Sequence, residues 1–437
     1  MLLMEMAIKS PKGSIIDVPR GTQDLGTKEA ITMKEIISVT EEIFKRFGFS
    51  PLITPSIENT EVLNANAYGE ESTKEMFVME GGDIALRFDF TVPLARFMAM
   101  NKDIPLPFKR YQIGNVWRKD EPQHMRSREI VQADIDIVGS TDLASDIEII
   151  ATSLRALEAL GIKDCLLLIN SRPILNLILG HFKVPAEKQK DVIRVFDKIS
   201  KMSMTDTISQ LKALGIAEND VQSMIAFITE KMTNNDKLSK LEVNIPESKP
   251  ETSKLRSVLS GLEKYGLKEE VRIDLSLARG LDYYTGMIWE VVIETAEGRS
   301  PSISGGGRYD GLIGLYSKSG IPAVGTSIGI SRIFEILNAR SAQKTYAKVF
   351  IAQIGPDSGE YSIGVANRMR DAGIYVDLNV TDRGISKQLE YSSSMGIRYV
   401  AIIGSKEKES GKVKLRDMQS GTEELLDVDA AIALMKK

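Results

Sequence analysis

Arg279-Gly280-Leu281-Asp282-Tyr283-Tyr284 is the stretch on which the reading of this chain turns. It follows Val271-Arg272-Ile273-Asp274-Leu275-Ser276-Leu277, whose alternation predicts a strand. A second β-rich run, Met287-Ile288-Trp289-Glu290-Val291-Val292-Ile293, comes directly after. A cation, a carboxylate and two phenols therefore stand where two strands meet. A plain turn needs less polar chemistry, so the stretch points to a pocket for an anion and for a group that is aromatic or hydrogen-bonding.

Upstream, six cations fall from Lys109 to Arg128, over the first of two β-like runs, Phe108 to Val116, and the charged loop that leads to the second, Ile130 to Val138. Arg118 stands at the end of the first run, where a planar guanidinium can grip a phosphate with two parallel hydrogen bonds. Arg126 and Arg128, in the connecting loop, are placed to reach further phosphates. Read alone, the same run is also a solvated charged hairpin. In Leu86-Arg87-Phe88-Asp89-Phe90-Thr91-Val92-Pro93, alternation predicts a strand with Arg87, Asp89 and Thr91 on one face, as a recognition edge or simply its wet side.

Downstream, Ser304-Gly305-Gly306-Gly307-Arg308-Tyr309-Asp310-Gly311 puts three glycines in a strand context, where a ligand or another backbone comes close. Its spacing is neither that of a P-loop nor that of a dinucleotide fingerprint. Gly325-Thr326-Ser327-Ile328-Gly329-Ile330-Ser331-Arg332 leads from strand into an apolar helix. Arg332, in that helix's first turns, suits a distal phosphate or is an ordinary surface arginine.

The chain has 437 residues, too many for one ordinary core. Its net charge of −4 excludes a globally basic nucleic-acid binder, so any RNA contact must be local. Two histidines, His124 and His181, argue against a histidine-ligated metal site and against a Ser-His-Asp hydrolase. The single cysteine, Cys165, excludes an intramolecular disulfide and, in an apolar run, reads as a buried strand residue of a cytosolic protein. No apolar run is long enough to span a membrane, and the start, Met1 to Met6, lacks the basic and apolar regions of a signal peptide.

Helical spacing over Thr27 to Phe47 predicts a long helix that stops at Gly48, and a second helix is expected over Ser145 to Leu160. Residues 172–266 are Lys-rich and amphipathic and read as a helical insertion. It ends in a mobile link at Pro246-Glu247-Ser248-Lys249-Pro250-Glu251. From Val349 the pattern alternates: strands over Val349 to Ile354, Ile374 to Leu378, Tyr399 to Ile403 and Lys412 to Arg416, with helices between them and at the end. That is a small α/β domain.

Together these stretches resemble the class II aminoacyl-tRNA synthetases, and within them the histidyl-tRNA synthetases, over nearly the whole chain. The helix, Phe47-Gly48-Phe49 and Thr54-Pro55 look like motif 1. Tyr111 to Arg118, the charged loop and Gln132 to Gly139 look like motif 2; Gly325 to Arg332 looks like motif 3. Arg279 to Tyr284 and Gly306 to Gly311 are similar to the two segments peculiar to the histidine enzymes. The resemblance implies an α/β fold class: an antiparallel sheet flanked by helices, a helical insertion and a C-terminal α/β anticodon-binding domain. The corresponding divisions are 1–171 and 267–340 for the catalytic domain, 172–266 for the insertion and 345–437 for the anticodon-binding domain.

It also implies ligation of L-histidine to tRNA(His) through an adenylate, with ATP as substrate, Mg²⁺ as cofactor, a homodimer and a cytoplasmic setting. By position, Asp89, Thr91, Arg118, Gln132, Asp136, Arg279, Tyr283 and Tyr284 match the histidine-binding residues. Arg118, Asp120, Arg126, Ile130 and Arg332 match the ATP-binding ones, and Arg118, Arg279 and Arg332 the catalytic set. The residues that would ligate the Mg²⁺ are not assigned by the resemblance. Ile130 stands where the family often has an aromatic against adenine, and an aliphatic side chain still covers a purine face. Lys406, Lys408, Lys412 and Lys414 are the local cations for anticodon contact, or else a solvated hairpin. The rival reading is a catalytically silent paralogue that regulates histidine biosynthesis. Such paralogues typically lack the C-terminal domain and the motif arginines, all of which this chain keeps.

Overall fold

The structure is a computed structural model describing residues 17–65, 73–123, 125–199, 202–267, 270–279, 283–295, 298–317, 320–338 and 343–436. His124, Gly280, Leu281 and Asp282 lie outside the described residues, as do Met1 to Met6. The chain forms two compact units: residues up to Gln23 with Ile36–Ile336, and Asp24–Glu35 with Leu337–Lys437.

The first unit is organised by a mostly antiparallel sheet. Its strands are β1 (Ser50–Pro51), β4 (Phe108–Trp117), β5 (Glu129–Val138), β6 (Cys165–Ser171), β7 (Glu270–Ile273), β8 (Met287–Thr295), β9 (Gly298–Arg299), β10 (Ser304–Arg308) and β11 (Ala323–Ile328). Two further strands, β2 (Ile57–Asn59) and β3 (Ile84–Leu86), pair separately. The spatial order is β1-β4-β5-β11-β10-β8-β6-β7, with β9 on β8. Only the contacts of β1 with β4 and β6 with β7 are parallel.

The motif 2-like hairpin is in register from Phe108 opposite Val138 to Trp117 opposite Glu129, so Arg110 faces Asp136 across the pair. β6 is buried along its whole length, which its apolar run requires, and Cys165 lies within it. The helix Leu143–Ala159 covers β5 and β11 and is capped by the Asp142 carboxylate, which accepts from Ala144 N at 2.8 Å. The first long helix runs Thr27–Arg46, and Gly48 follows in the left-handed region at φ 77°. Its second half is fixed to β4 by Tyr111, whose hydroxyl donates to Glu41 at 2.6 Å and whose ring lies 5.9 Å from that of Phe44.

Three local expectations change. The alternation at Leu86–Pro93 is not a strand beyond Leu86, because a helix begins at Thr91. Asp89 accounts for the change: its Oδ1 accepts from Thr91 N at 3.0 Å and Val92 N at 3.1 Å, satisfying donors at the helix start. The alternation at Val271–Leu277 likewise gives strand only to Ile273, after which Asp274 closes a turn onto Ser276. The Pro-rich segment after Asn244 is not a mobile link. It folds as a 3₁₀ turn, Pro246–Ser248, and runs on into the helix Lys249–Lys264 with Ser248 buried. Pro246 and Pro250 each occupy a first-turn position, where a missing N–H costs no hydrogen bond.

The second unit carries β12 (Val349–Gln353), β13 (Val376–Leu378), β14 (Tyr399–Ile403), β15 (Lys412–Asp417) and β16 (Glu423–Asp427) in the order β13-β12-β14-β15-β16. The first three are parallel and the last two antiparallel. Helices Gly359–Asp371 and Val428–Lys436 share one core with Val349, Ile351, Ala401 and Ile403. β16 was not anticipated: Glu423-Glu424-Leu425-Leu426-Asp427 is charged and exposed, the composition of an edge strand that resists further pairing. Of the four lysines singled out, Lys408 donates to the Asp357 carbonyl and Lys414 lies 4.0 Å from Glu423.

Candidate active site

All twelve site residues expected from the sequence line one cavity of about 940 Å³ in the first unit: Asp89, Thr91, Arg118, Asp120, Arg126, Ile130, Gln132, Asp136, Arg279, Tyr283, Tyr284 and Arg332. They come from one face of β5, the first turns of two helices and three connecting segments, separated by up to 243 positions of chain (332 − 89).

One side of the cavity is cationic. Arg118 lies against the Phe88 ring at 4.5 Å, and its Nε donates to the Phe88 carbonyl at 3.3 Å. Arg279 donates from Nη1 to Glu290 Oε1 at 2.7 Å and stands 5.8 Å from the Tyr284 ring centre. Its backbone is left-handed at φ 57°, rare for a residue with a side chain and a strain the fold must hold in place. Arg332 donates to the carbonyls of Ser302 and Met125. Burial pushes the Arg332 guanidinium down, and Arg118 does so next; Glu290 opposes them, while Arg279 and Arg126 add to the depression. Four guanidiniums thus repel one another around one volume, an arrangement that a polyanion relieves. Asp120 accepts from Arg126 at 2.7 Å. Burial pushes the Asp120 carboxyl up, but Arg126 and Arg118 outweigh it and hold the group below its ordinary value.

The opposite side is built of carboxylates and phenols. Alternation places Gln132, Asp134 and Asp136 on one face of β5. Asp136 Oδ2 lies 2.6 Å from Arg110 Nη2, and Tyr309 donates its hydroxyl hydrogen to Asp136 Oδ1. Thr91 hydrogen-bonds the Tyr283 phenol. The Tyr283 ring lies 4.7 Å from that of Tyr284 and 5.7 Å from that of Tyr309.

The glycines make this packing possible by leaving space. A Cβ on Gly305 would fall inside the Arg279 guanidinium, and one on Gly325 inside the Asp136 carboxylate. A Cβ on Gly307 would meet the Tyr284 ring at 2.7 Å. A Cβ on Gly306 would overlap the Gly325 carbonyl on the neighbouring strand, so the glycine-rich strand admits another backbone, as its sequence implies, and is in addition a set of recesses for named side chains.

A family model described as histidyl-tRNA synthetase matches residues 21–333, and one described as an anticodon binding domain matches residues 348–437. The chain belongs to the histidyl-tRNA synthetase family. It is 35% identical to the histidine–tRNA ligase of Aeropyrum pernix, over 96% of this chain and 97% of that one. The ligase of Clostridium tetani is 34% identical over 95% and 97%. A crystal structure of histidyl-tRNA synthetase from Nostoc superposes with a TM-score of 0.84 at 29% identity, covering 96% of this chain and 99% of that one. The α/β architecture expected of a histidyl-tRNA synthetase is thus the one found.

Three residues that line this synthetase pocket, Asp134, Glu290 and Tyr309, and one buried behind it, Arg110, were given no role by the sequence reading. Arg110 and Tyr309 sat inside quoted motifs, but their contact with Asp136 follows only from the pairing of strands. Burial pushes the Asp134 carboxyl up to about 7, with Asp136 and Asp89 adding and Arg110 and Ser327 opposing. A folded value above the unfolded one means that the native state holds the extra proton between the two. Stability from this group is therefore present below the ordinary carboxylate range and is lost as pH rises through about 7. In the ligand-free protein, Asp134→Asn removes this decline, a relative gain on the order of 3 kcal/mol between pH 5 and about pH 8. Paired denaturant melts of wild type and variant from pH 5 to 8 read the difference directly. Parallel stability profiles would refute the assignment.

Among the described residues there is no group of three or more His, Cys, Asp or Glu side chains gathered as a metal cage. Glu290, the acid among the arginines, is tied to Arg279. This fits Mg²⁺ carried in mainly by nucleotide phosphates and water, the usual mode for this ion beside phosphates.

Proposed function

We propose that the chain ligates L-histidine to its tRNA in two steps: the histidine carboxylate attacks the α-phosphorus of ATP and expels pyrophosphate, and the histidyl group then passes to the tRNA 3′ end with release of AMP. The observation that carries this is the single cavity lined by mutually repelling arginines on one side and a fixed carboxylate–phenol floor on the other.

The attacking carboxylate is ionised already, so the first step needs no general base. It needs positive charge fixed where negative charge grows, which is electrostatic preorganisation. Arg118 and Arg279 take the α-phosphate from two sides, and Arg332 the γ-phosphate. Asp120 and Arg126 border the adenine and the triphosphate, with Ile130 against the purine face. When bound with ATP, Mg²⁺ supplies further charge neutralisation on the phosphates.

Imidazole needs a donor and an acceptor at opposed nitrogens. Asp136 supplies the acceptor, and its orientation is set by Arg110 and Tyr309. Tyr284 serves the other nitrogen and Tyr283 packs beside it. Asp89, Thr91 and Gln132 hold the amino-acid end. A polar pocket of this kind rejects apolar isosteres strongly, because its buried groups would be left unpaired.

The 348–437 region would take the anticodon, and a homodimer accords with the exposure of Ile53 and Met100 in the first unit. No described helix is long and apolar enough to cross a membrane; the cytoplasm is the setting that supplies tRNA and ATP. The arginines weigh against the silent paralogue. Charging of tRNA(His) with labelled histidine tests the whole reading: charging with histidine alone among amino acids supports it, and charging with none overturns it.

A further inference from the structure

The strand that leads to Arg279 is held from outside the sheet. β7 ends the sheet and pairs with β6, in parallel, from Leu166 opposite Glu270 to Ile169 opposite Ile273. In a parallel strand the N–H and C=O of one residue point to the same side, and successive residues alternate. Arg272 and Asp274 therefore turn their backbone toward β6, and Asp274 N donates to the Ile169 carbonyl at 3.0 Å. Val271 and Ile273 turn theirs outward, where no further strand lies among the described residues. The first turns of the helix Asn234–Asn244 take the place of one. Asn234 Nδ2 donates to the Val271 carbonyl at 2.7 Å, and its Oδ1 accepts from Ile273 N at 2.8 Å. Lys237, 8% exposed, donates from Nζ to the Ile273 carbonyl at 2.6 Å. An edge strand is ordinarily protected by charge kept in water. Here a buried ammonium is placed on a main-chain carbonyl, a charge-assisted bond that is shorter and stronger than a neutral one.

That carbonyl stands six residues before Arg279 (279 − 273). Between them the chain makes a fully bonded turn. Asp274 Oδ1 accepts from Ser276 N at 3.0 Å, and Leu277 N donates back to the Asp274 carbonyl at 3.0 Å. Asn170 of β6 donates to the Leu277 carbonyl at 2.9 Å, and Arg172 Nη1 to the Ala278 carbonyl at 3.4 Å. Arg279 follows with its backbone left-handed. We propose that Asn234 and Lys237 are positioning residues for Arg279: they hold the outer edge of β7 so that the turn after it delivers the guanidinium to the α-phosphate. Neither side chain lines the cavity, so both act through the strand. The inference rests on the reading of Arg279 as a group on that phosphate. With its outer edge released, a four-residue strand is fixed from one side alone, and a displacement of about 1 Å at the reacting geometry costs about 100-fold. A mere cover for the sheet edge would lower stability when lost and leave the rate of the folded enzyme alone.

The test is single-turnover adenylate formation by the full-length protein, with Lys237→Met and Asn234→Ala each made alone and in combination with Arg279→Ala. Lys237→Met keeps the length of the side chain and loses its donor. It should slow adenylate formation by about 10-fold or more at saturating substrates, with little change in the dissociation constants of histidine and ATP. Asn234→Ala should act in the same direction. Added to Arg279→Ala, either change should cost little more, because the group it positions is gone. An unchanged rate in the folded variants, or a loss that multiplies with that of Arg279→Ala, overturns the inference and leaves the role of Arg279 standing. Arg279→Ala without effect on the rate would overturn the phosphate reading itself. A measurement on wild type covers variants that fail to fold. Coupling between two sites is reciprocal, so a non-reactive histidyl-adenylate analogue should slow amide hydrogen exchange in the first two turns of the helix Asn234–Asn244 by about 5-fold or more. Exchange there that is unaltered by the analogue contradicts the proposal.

Discussion

Arg279→Ala should lower single-turnover adenylate formation by about 10²- to 10³-fold, the effect of removing one preorganised donor from a developing oxyanion. Histidine binding should weaken only a few-fold. The split follows from how the residue is held. Its guanidinium is pinned by Glu290 at 2.7 Å, seated beside Tyr284, and accommodated by the bare backbone of Gly305. Its left-handed backbone strains the chain to aim the charge at this spot. Such a group contributes most where charge accumulates and least to the ground-state fit of the imidazole. Rapid-quench measurement of adenylate with saturating substrates separates the two effects. An unchanged rate would show that Arg279 belongs to substrate shape and not to chemistry.

The second large effect should come from a position with no side chain of its own. In Gly325→Ala the new Cβ has nowhere to go: it would overlap the Asp136 carboxylate and stand 2.9 Å from the Ile135 carbonyl. Neither neighbour can yield cheaply, since one is a buried ion pair with Arg110 and the other is backbone of the central strand. Asp136 must turn out of its alignment with Tyr309, and a displacement of about 1 Å in a positioning group costs about 100-fold. Overpacking itself costs about 1–3 kcal/mol, so the fold survives. Histidine affinity should therefore fall by about two orders of magnitude while ATP binding changes little. Wild-type histidine affinity in a folded Gly325→Ala protein would mean that Asp136 does not read the imidazole.

These two residues also show what was legible in the sequence. Arg279 announced itself, because a cation beside two phenols at a strand junction is costly unless used. The β4–β5 hairpin was readable because ten-residue strands repeat their alternation often enough to fix a face. Asp89 misled, since a carboxylate capping a helix start and a polar residue on a strand face give the same short pattern of polar among apolar residues. Pro246 to Glu251 misled for a related reason: proline and charge mark both loops and first helical turns.

The larger gap lies in pairings across the sheet. Arg110, Asp136 and Tyr309 form one group, held by an ion pair and a hydrogen bond, although up to 199 positions of chain separate them (309 − 110), and only the pairing of strands brings them together. Asp134 and Asp136 look alike in sequence, two apart on one face. They differ because one has a guanidinium and a phenol and the other does not. The glycines of β10 and β11 were readable as close approaches, but not as approaches to Arg279, Tyr284 and Asp136.

The central claim is that one cavity activates histidine with ATP, and histidine-dependent exchange of labelled pyrophosphate into ATP tests it most directly. Purified protein should catalyse the exchange with histidine and not with the other amino acids, and without added tRNA; exchange no greater with histidine than without it would contradict the account.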